Sequence, residues 1–224
     1  MAFDQVWESI FESRMWGRYP AESVVREMSR SFRDPNMRPN LRVLDLGCGP
    51  GANTWFLCRD GYQVSGIDGS PSAIEICKTR LKTENLQADL RIGDITKPLP
   101  WGDGTFDAVV DCVSLYANPI DEIRKAITQV RRVLKPNGLF IWMAFSERTW
   151  GFGSGQLTDH PYGFSSLSEG PLADKGYVQF FTESEMRVCL KDFSQVRFER
   201  ISYTLGGMDR FVEIHVAIAS GTPT

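Results

Sequence analysis

Two rhythms of apolar and polar residues run through this chain. Short apolar runs bounded by turn residues predict strands at Arg42–Leu46, Gln63–Ile67, Asp89–Ile92, Phe106–Cys112 and Leu139–Phe145. Between them, helical spacing predicts helices at Asn53–Asp60, Ser72–Lys82 and Asp121–Leu134, the last with Ile123, Ile127, Val130 and Leu134 on one face. Asn53 or Thr54 is placed to cap the first helix, Pro71 to open the second, and Pro136-Asn137-Gly138 to end the third. Strands alternating with helices imply an α/β fold, with a doubly wound, mostly parallel sheet covered on both faces.

The two ends of the chain break the alternation. Residues 1–40 read as a helical cover of two segments joined at Gly17–Pro20, and Pro35 and Pro39 interrupt the chain before the first strand. Residues 41–224 then read as the main domain. Within it, Ser146–Phe181 is rich in Gly, Ser, Pro and aromatics and is too long for a plain connection. Thr182-x-x-Glu185 is a capping box that opens one more helix. Val196–Tyr203 and Arg210–Ala219 alternate around Gly206–Gly207 as a terminal antiparallel hairpin.

Composition narrows the function classes. The chain has 224 residues, is 42% hydrophobic and carries a formal net charge of −3, so it can bury a core and gives no electrostatic reason to expect nucleic acid. Arginines 14 to 38 make the start locally basic, but Glu8, Glu12, Glu22 and Glu27 offset them, as on a solvated helix face. The five cysteines form no Cys-x-x-Cys pair, and only His160 and His215 could join them, so no metal site is expected. There is no signal-like apolar start and no run long enough to span a bilayer, so a soluble, cytoplasmic protein without a membrane partner is expected. Nothing in the sequence fixes an oligomeric state.

The sharpest chemical signal is Asp45-Leu46-Gly47-Cys48-Gly49-Pro50-Gly51, where the first strand turns into a helix. Glycines let a backbone come close to a ligand, and a helix N-terminus favours negative charge. With Ala52 in sixth place the run also satisfies the dinucleotide fingerprint. The other strand ends weigh against that reading. Asp68, Asp94 and Asp111 close the second, third and fourth strands, so acids end four successive strands. Such a rim would repel a pyrophosphate and attract a cationic ligand. A nicotinamide-dependent oxidoreductase and a non-catalytic binding protein on the same fold remain as alternatives.

These residues resemble the class I S-adenosylmethionine (SAM)-dependent methyltransferases, of the small-molecule type. The resemblance runs from about Leu41 to Phe145, through Asp45–Gly51, Gly66-Ile67-Asp68-Gly69-Ser70, Gly93-Asp94-Ile95 and Arg132–Gly138. It implies a Rossmann-like, seven-stranded sheet of order 3-2-1-4-5-7-6 with an antiparallel last strand. It implies SAM as cofactor and S-adenosylhomocysteine (SAH) as product. Gly47 and Gly49 would hold the methionine moiety, with Asp45 acting through backbone and water at its ammonium. Asp68, with Gly69 beside it, would hold the ribose, and Asp94 and Ile95 the adenine. Asp111 and Cys112 would line the cofactor near the sulfonium.

The acceptor side is less legible. Asp111-Cys112-Val113-Ser114 lacks the pattern of enzymes that methylate nucleobase amino groups, so a small-molecule acceptor, a metabolite or sugar methylated on oxygen or nitrogen, is expected. Trp16 and Arg18, in the cluster with Gly17, Tyr19 and Pro20, resemble the aromatic N-terminal covers of small-molecule methyltransferases, and Arg18 could pair with a carboxylate. Trp7 and Phe11, four apart, read as residues that dock a helix. Ser114, Tyr116 and Asn118 follow the fourth strand, where acceptor contacts are expected. His160, in the 146–181 insertion, is the candidate catalytic base.

Overall fold

A computed structural model describes residues 4–13 and 17–221. Two helices, α1 (Gln5–Ser13) and α2 (Glu22–Ser31), precede a short 3-10 turn at Pro35–Asn40. The alternating region follows: β1 (Arg42–Leu46), α3 (Ala52–Arg59), β2 (Gln63–Asp68), α4 (Pro71–Thr83), β3 (Asp89–Ile92), β4 (Phe106–Cys112), α5 (Ile120–Val133) and β5 (Leu134–Phe145). Three short strands come next, β6 (Gln156–Leu157), β7 (Gly163–Ser165) and β8 (Tyr177–Gln179), and then α6 (Glu183–Cys189), β9 (Gln195–Thr204) and β10 (Phe211–Ser220).

The main sheet has seven strands in the order β3-β2-β1-β4-β5-β10-β9. All pairs from β3 to β5 are parallel, whereas β10 runs antiparallel to both β5 and β9. This is the 3-2-1-4-5-7-6 arrangement implied by the resemblance. Successive strand residues point to opposite faces, so both faces acquire a core. Leu44, Leu46, Val109, Phe140 and Trp142 pack with Ile123, Ile127 and Val130 of α5. Val43, Val110, Ile141 and Met143 pack on the other face with Val24 and Met28 of α2 and Leu57 of α3. The order reverses at β1, whose neighbours are β2 and β4, and this opens a crevice beyond its carboxyl end.

Several boundaries differ from the sequence expectation. Helix α5 stops at Val133, and Leu134 takes an extended conformation as the first residue of β5. The β4–β5 register then jumps from Phe106↔Leu134 to Ala108↔Leu139, so Lys135–Gly138 bulge out and Lys135 Nζ reaches the Asp107 carboxylate at 2.7 Å. Neither Asn53 nor Thr54 caps α3; the cap position is Gly51, in a left-handed conformation with no side-chain bond. Asn53 Oδ1 instead accepts from the Ala21 amide at 3.2 Å, and the Thr54 hydroxyl donates to Asp45 at 2.6 Å. The insertion folds partly into a separate antiparallel sheet, β6-β7-β8. The capping box forms as expected, with the Thr182 hydroxyl accepting from the Glu185 amide at 3.2 Å.

Three of the N-terminal arginines, Arg26, Arg30 and Arg38, pair with carboxylates within the fold. Arg26 contacts Glu22, Glu27 and Glu199, and Arg30 contacts Glu27 and Glu199, which ties α2 to β9. Among the described residues no helix is long and apolar enough to cross a membrane.

Gly51 joins the first loop to α3 at a φ of 83°, and a methyl group there would collide with the Cys77 sulfur on α4. Both the left-handed backbone and the overlap penalise alanine. Gly51→Ala is expected to lower stability in urea by roughly 1–3 kcal/mol; an unchanged unfolding midpoint would contradict this packing.

Candidate active site

A cavity of about 420 Å³ occupies the crevice at the carboxyl ends of the strands. Its floor is the loop after β1, in which Gly47 and Gly49 take positive φ values of 68° and 51°. Glycine is required at position 47 by the protein itself, because a methyl there would overlap the Ser114 side chain after β4. At Gly49 a methyl would approach the Phe11 ring of α1 at 3.6 Å, so α1 lies directly over this loop.

Asp68, at the end of β2, sets the loop. It is 7% exposed, and its two oxygens accept from the Gly49 amide at 2.8 Å and the Ser70 amide at 2.9 Å. Burial pushes its pKa up, against those two bonds. A carboxylate has about four acceptor sites, so both oxygens keep capacity toward the cavity they line. Asp94 also lines the cavity, and its Oδ1 takes the Thr96 amide at 2.9 Å and hydroxyl at 2.6 Å. No described residue donates to its Oδ2, which leaves an acceptor for an external N–H. Gly69, Ile95 and Cys112 complete this half of the wall. Burial pushes the Cys112 thiol up to about 12, so it stands there as a neutral thiol.

The other two acids of the expected rim do not open onto the cavity. Asp45 is 1% exposed and Asp111 is fully buried. Burial raises Asp45 to about 6, against the hydrogen bonds from Thr54. Burial raises Asp111 to about 7, against bonds from Ser114 and Leu115. The Ser114 hydroxyl faces both the Leu46 carbonyl, at 2.8 Å, and Asp111 Oδ1. It has one proton to give, so both contacts are satisfied when Asp111 keeps its own proton. The row of four carboxylates is therefore two acids facing the cavity, Asp68 and Asp94, with two buried acids beside them. Asp4, just before α1, adds a third lining carboxyl group.

Much of the remaining wall is aromatic and aliphatic: Trp7 and Phe11 of α1, Tyr116 and Phe145 after β4 and in β5, Leu172 of the insertion and Tyr203 of β9. Trp7 and Phe11 thus do more than dock a helix. Glu8, between them, accepts from the hydroxyls of Ser70 and Ser72 and fastens α1 to the start of α4. The hydrophilic residue between two apolar ones gave no sequence signal of that role. Asn53 and Tyr203 also line the cavity without any motif to mark them.

Two expected site residues are placed elsewhere, and one lies outside the described residues. His160 does not line the cavity: its Nε2 is 3.0 Å from Glu185 and its Nδ1 is 3.0 Å from the Gln179 amide nitrogen. With both ring nitrogens engaged, it joins the small sheet to the start of α6, apart from the residues that line the cavity. Arg18 is exposed, its guanidinium 5.7 Å from the Tyr19 ring centre, and it is absent from the wall that Gly17 and Tyr19 help form. Trp16 lies outside the described residues.

Comparison with known proteins agrees with this arrangement. Residues 43–138 match the family model described as a methyltransferase domain. An uncharacterised methyltransferase of Synechocystis is 36% identical over 102 residues, covering 46% of each chain. A demethylmenaquinone methyltransferase of Leptospira interrogans is 32% identical over 139 residues, covering 60% of this chain and 51% of its own. The chain thus spans about half the length of the curated relatives it matches. The crystal structure of a SAM-dependent methyltransferase from Methanosarcina mazei superimposes with a TM-score of 0.68 at 23% identity, over 82% of this chain and 93% of that one. Residues 43–138 thus match a methyltransferase domain, and the sheet has the strand order of the Rossmann-like fold.

The buried acid at Asp111 has a consequence for stability. The folded protein keeps a proton there that the unfolded chain releases from pH 3.8 upward, so its contribution is full at low pH and is lost as pH rises through about 7. Asp111→Asn mimics the protonated form at every pH. The variant's melting temperature is expected to gain on the parent's by at least ~4 °C between pH 4 and pH 8; parallel melting curves across that range would contradict the assignment.

Proposed function

We propose that the protein is a SAM-dependent methyltransferase that moves a methyl group to an oxygen or nitrogen of a small molecule. The observation that carries this reading is one continuous cavity with two unlike halves. One half offers the glycine loop, Asp68, Gly69, Asp94 and Ile95; the other is the aromatic chamber of Trp7, Phe11, Tyr116 and Phe145.

The residues fit the cofactor. Gly47 and Gly49 line the cavity in left-handed backbone conformations, Asp68 has acceptor capacity for a ribose diol, and Asp94 Oδ2 is open to an adenine amino group. SAM, when bound, supplies a methyl group on a positively charged sulfur. The chain's own task is then to hold an acceptor atom in line with that methyl and keep water out. Residues 1–40 and 146–181 serve this task as a cover and an acceptor-shaping insertion, through Trp7, Phe11 and Tyr19 on one side and Pro171 and Leu172 on the other. The carboxyl groups of Asp4, Asp68 and Asp94 on the wall favour a cationic ligand over the pyrophosphate of a nicotinamide cofactor. The chamber beyond the cofactor residues favours an enzyme over a protein that only binds SAM. The small-molecule acceptor is supported by the demethylmenaquinone activity named for the Leptospira relative. A reducing, cytoplasmic setting accords with five cysteines that are all free thiols.

Calorimetric titration with SAM, SAH and NAD tests the proposal. SAM and SAH should bind and NAD should not, and at ~100 times Kd the bound ligand should add about 2.7 kcal/mol of stability. Asp68→Ala removes a charged hydrogen-bonding partner and should weaken SAM binding by about 10- to 100-fold. Unchanged affinity in that variant, or tight NAD binding by the parent, would overturn the reading.

A further inference from the structure

The short 3-10 turn Leu115–Ala117, just beyond β4, carries Tyr116. This residue is 2% exposed and lines the cavity. Its ring stands edge-on to Trp7 at 6.3 Å and to Phe145 at 5.1 Å, so three aromatic residues meet in one place. Buried tyrosines ordinarily find a partner for the hydroxyl. No described residue bonds the Tyr116 hydroxyl. The Tyr62 hydroxyl is also without a bond but is sealed in the interior, whereas that of Tyr116 is not sealed. The space it meets is the cavity. Burial, with Asp111 beside it, raises its pKa, so the group stays a proton-bearing donor.

The turn that presents this ring is strained. Val113 has a φ of 51°, a left-handed conformation that a β-branched side chain strongly resists. The conformation is imposed from both sides. The Asp111 carboxyl accepts from the Leu115 amide at 3.0 Å and meets the Ser114 hydroxyl, which also donates to the Leu46 carbonyl across the sheet. Strain held by so many bonds is a mark of a functional turn. The cavity that Tyr116 lines also carries the apolar residues Trp7, Val113, Ala117, Phe145, Pro171 and Leu172. A sugar placed against these apolar residues would leave the hydroxyls facing them without partners, at a cost for each. A flat ring with one or two polar atoms would bury its faces and spend its polar atoms on Tyr116 and on Asn118, which also lines the wall.

We propose that the methyl acceptor is a planar aromatic molecule bearing a hydroxyl or carbonyl oxygen, and that the Tyr116 hydroxyl positions it by hydrogen-bonding that oxygen within the chamber of Trp7 and Phe145. This rests on the methyltransferase reading and narrows its acceptor to one chemical class, excluding sugars. Tyr116 acts here by binding and orientation, and the same hydrogen bond is available whether or not methyl transfer follows.

Binding to the SAH-saturated protein tests it without a turnover assay. The probes are 2-naphthol, naphthalene and methyl α-glucoside, measured by calorimetry on the parent and on Tyr116→Phe, which keeps the ring and its packing. The ratio of 2-naphthol to naphthalene affinity should fall at least about fivefold in the variant, with SAH affinity unchanged. The glucoside should bind neither protein measurably. A ratio unchanged within twofold, or glucoside binding as tight as that of 2-naphthol, would overturn the inference. Failure of the parent to bind SAH would overturn the methyltransferase reading and this inference with it, and that result is visible before any probe is added.

Discussion

The hydrogen bond from the Gly49 amide to the Asp68 carboxylate joins the loop after β1 to the end of β2, and the rest of the site is arranged around it. The bond is buried, so it forms in a low-dielectric setting where a charged acceptor is strong and an unmet one is costly. It fixes the glycine loop at the reversal of strand order. A second tether comes from the opposite neighbour of β1, where the Ser114 hydroxyl reaches the Leu46 carbonyl. Between these two attachments the loop has little freedom, and the left-handed glycines are the residues that tolerate the resulting path. Helix α1 then closes over it through Phe11 and through Glu8 on the first turn of α4.

Four aspartates end four adjacent strands, yet they divide into two kinds. Asp68 and Asp94 face the cavity and can serve a ligand directly. Asp45 and Asp111 are buried, their acidity reduced by loss of water, and each is spent on a neighbour: Thr54 in one case, Ser114 and Leu115 in the other. These inner acids shape the loops that carry Gly47 and Tyr116. Strand position alone does not separate the two kinds, because the difference lies in which way each following loop turns.

The sheet was legible in the sequence because its signals are local and repeated. Strand-length apolar runs, helical spacing in Ile123, Ile127 and Val130, and the glycine loop each follow from nearby residues and mark the alternating elements, whereas the strand order follows from the family resemblance those motifs carry. What escaped depends on contacts between distant segments. Leu134 fits a helical face as well as it fits a strand, and only pairing with Phe106 decides between them. Asn53 and Thr54 look like caps until Ala21 and Asp45 claim their side chains. His160 has the chemistry of a base, but the capping residue Glu185 and Gln179 of β8 hold its ring away from the cavity. Trp7 and Phe11 show helical docking spacing, and that spacing is the same whether the surface beneath them is a core or a cavity wall.

The central claim is that the crevice between the β1 loop and the chamber of α1 holds a sulfonium nucleoside through Asp68 and Asp94. A crystal structure of the protein with SAH is its most direct test. The account predicts the ribose hydroxyls within hydrogen-bond distance of Asp68, the adenine amino group at Asp94, and the amino-acid end against Gly47 and Gly49. A ligand seated outside this cavity, or bound in it with Asp68 turned away, would contradict it.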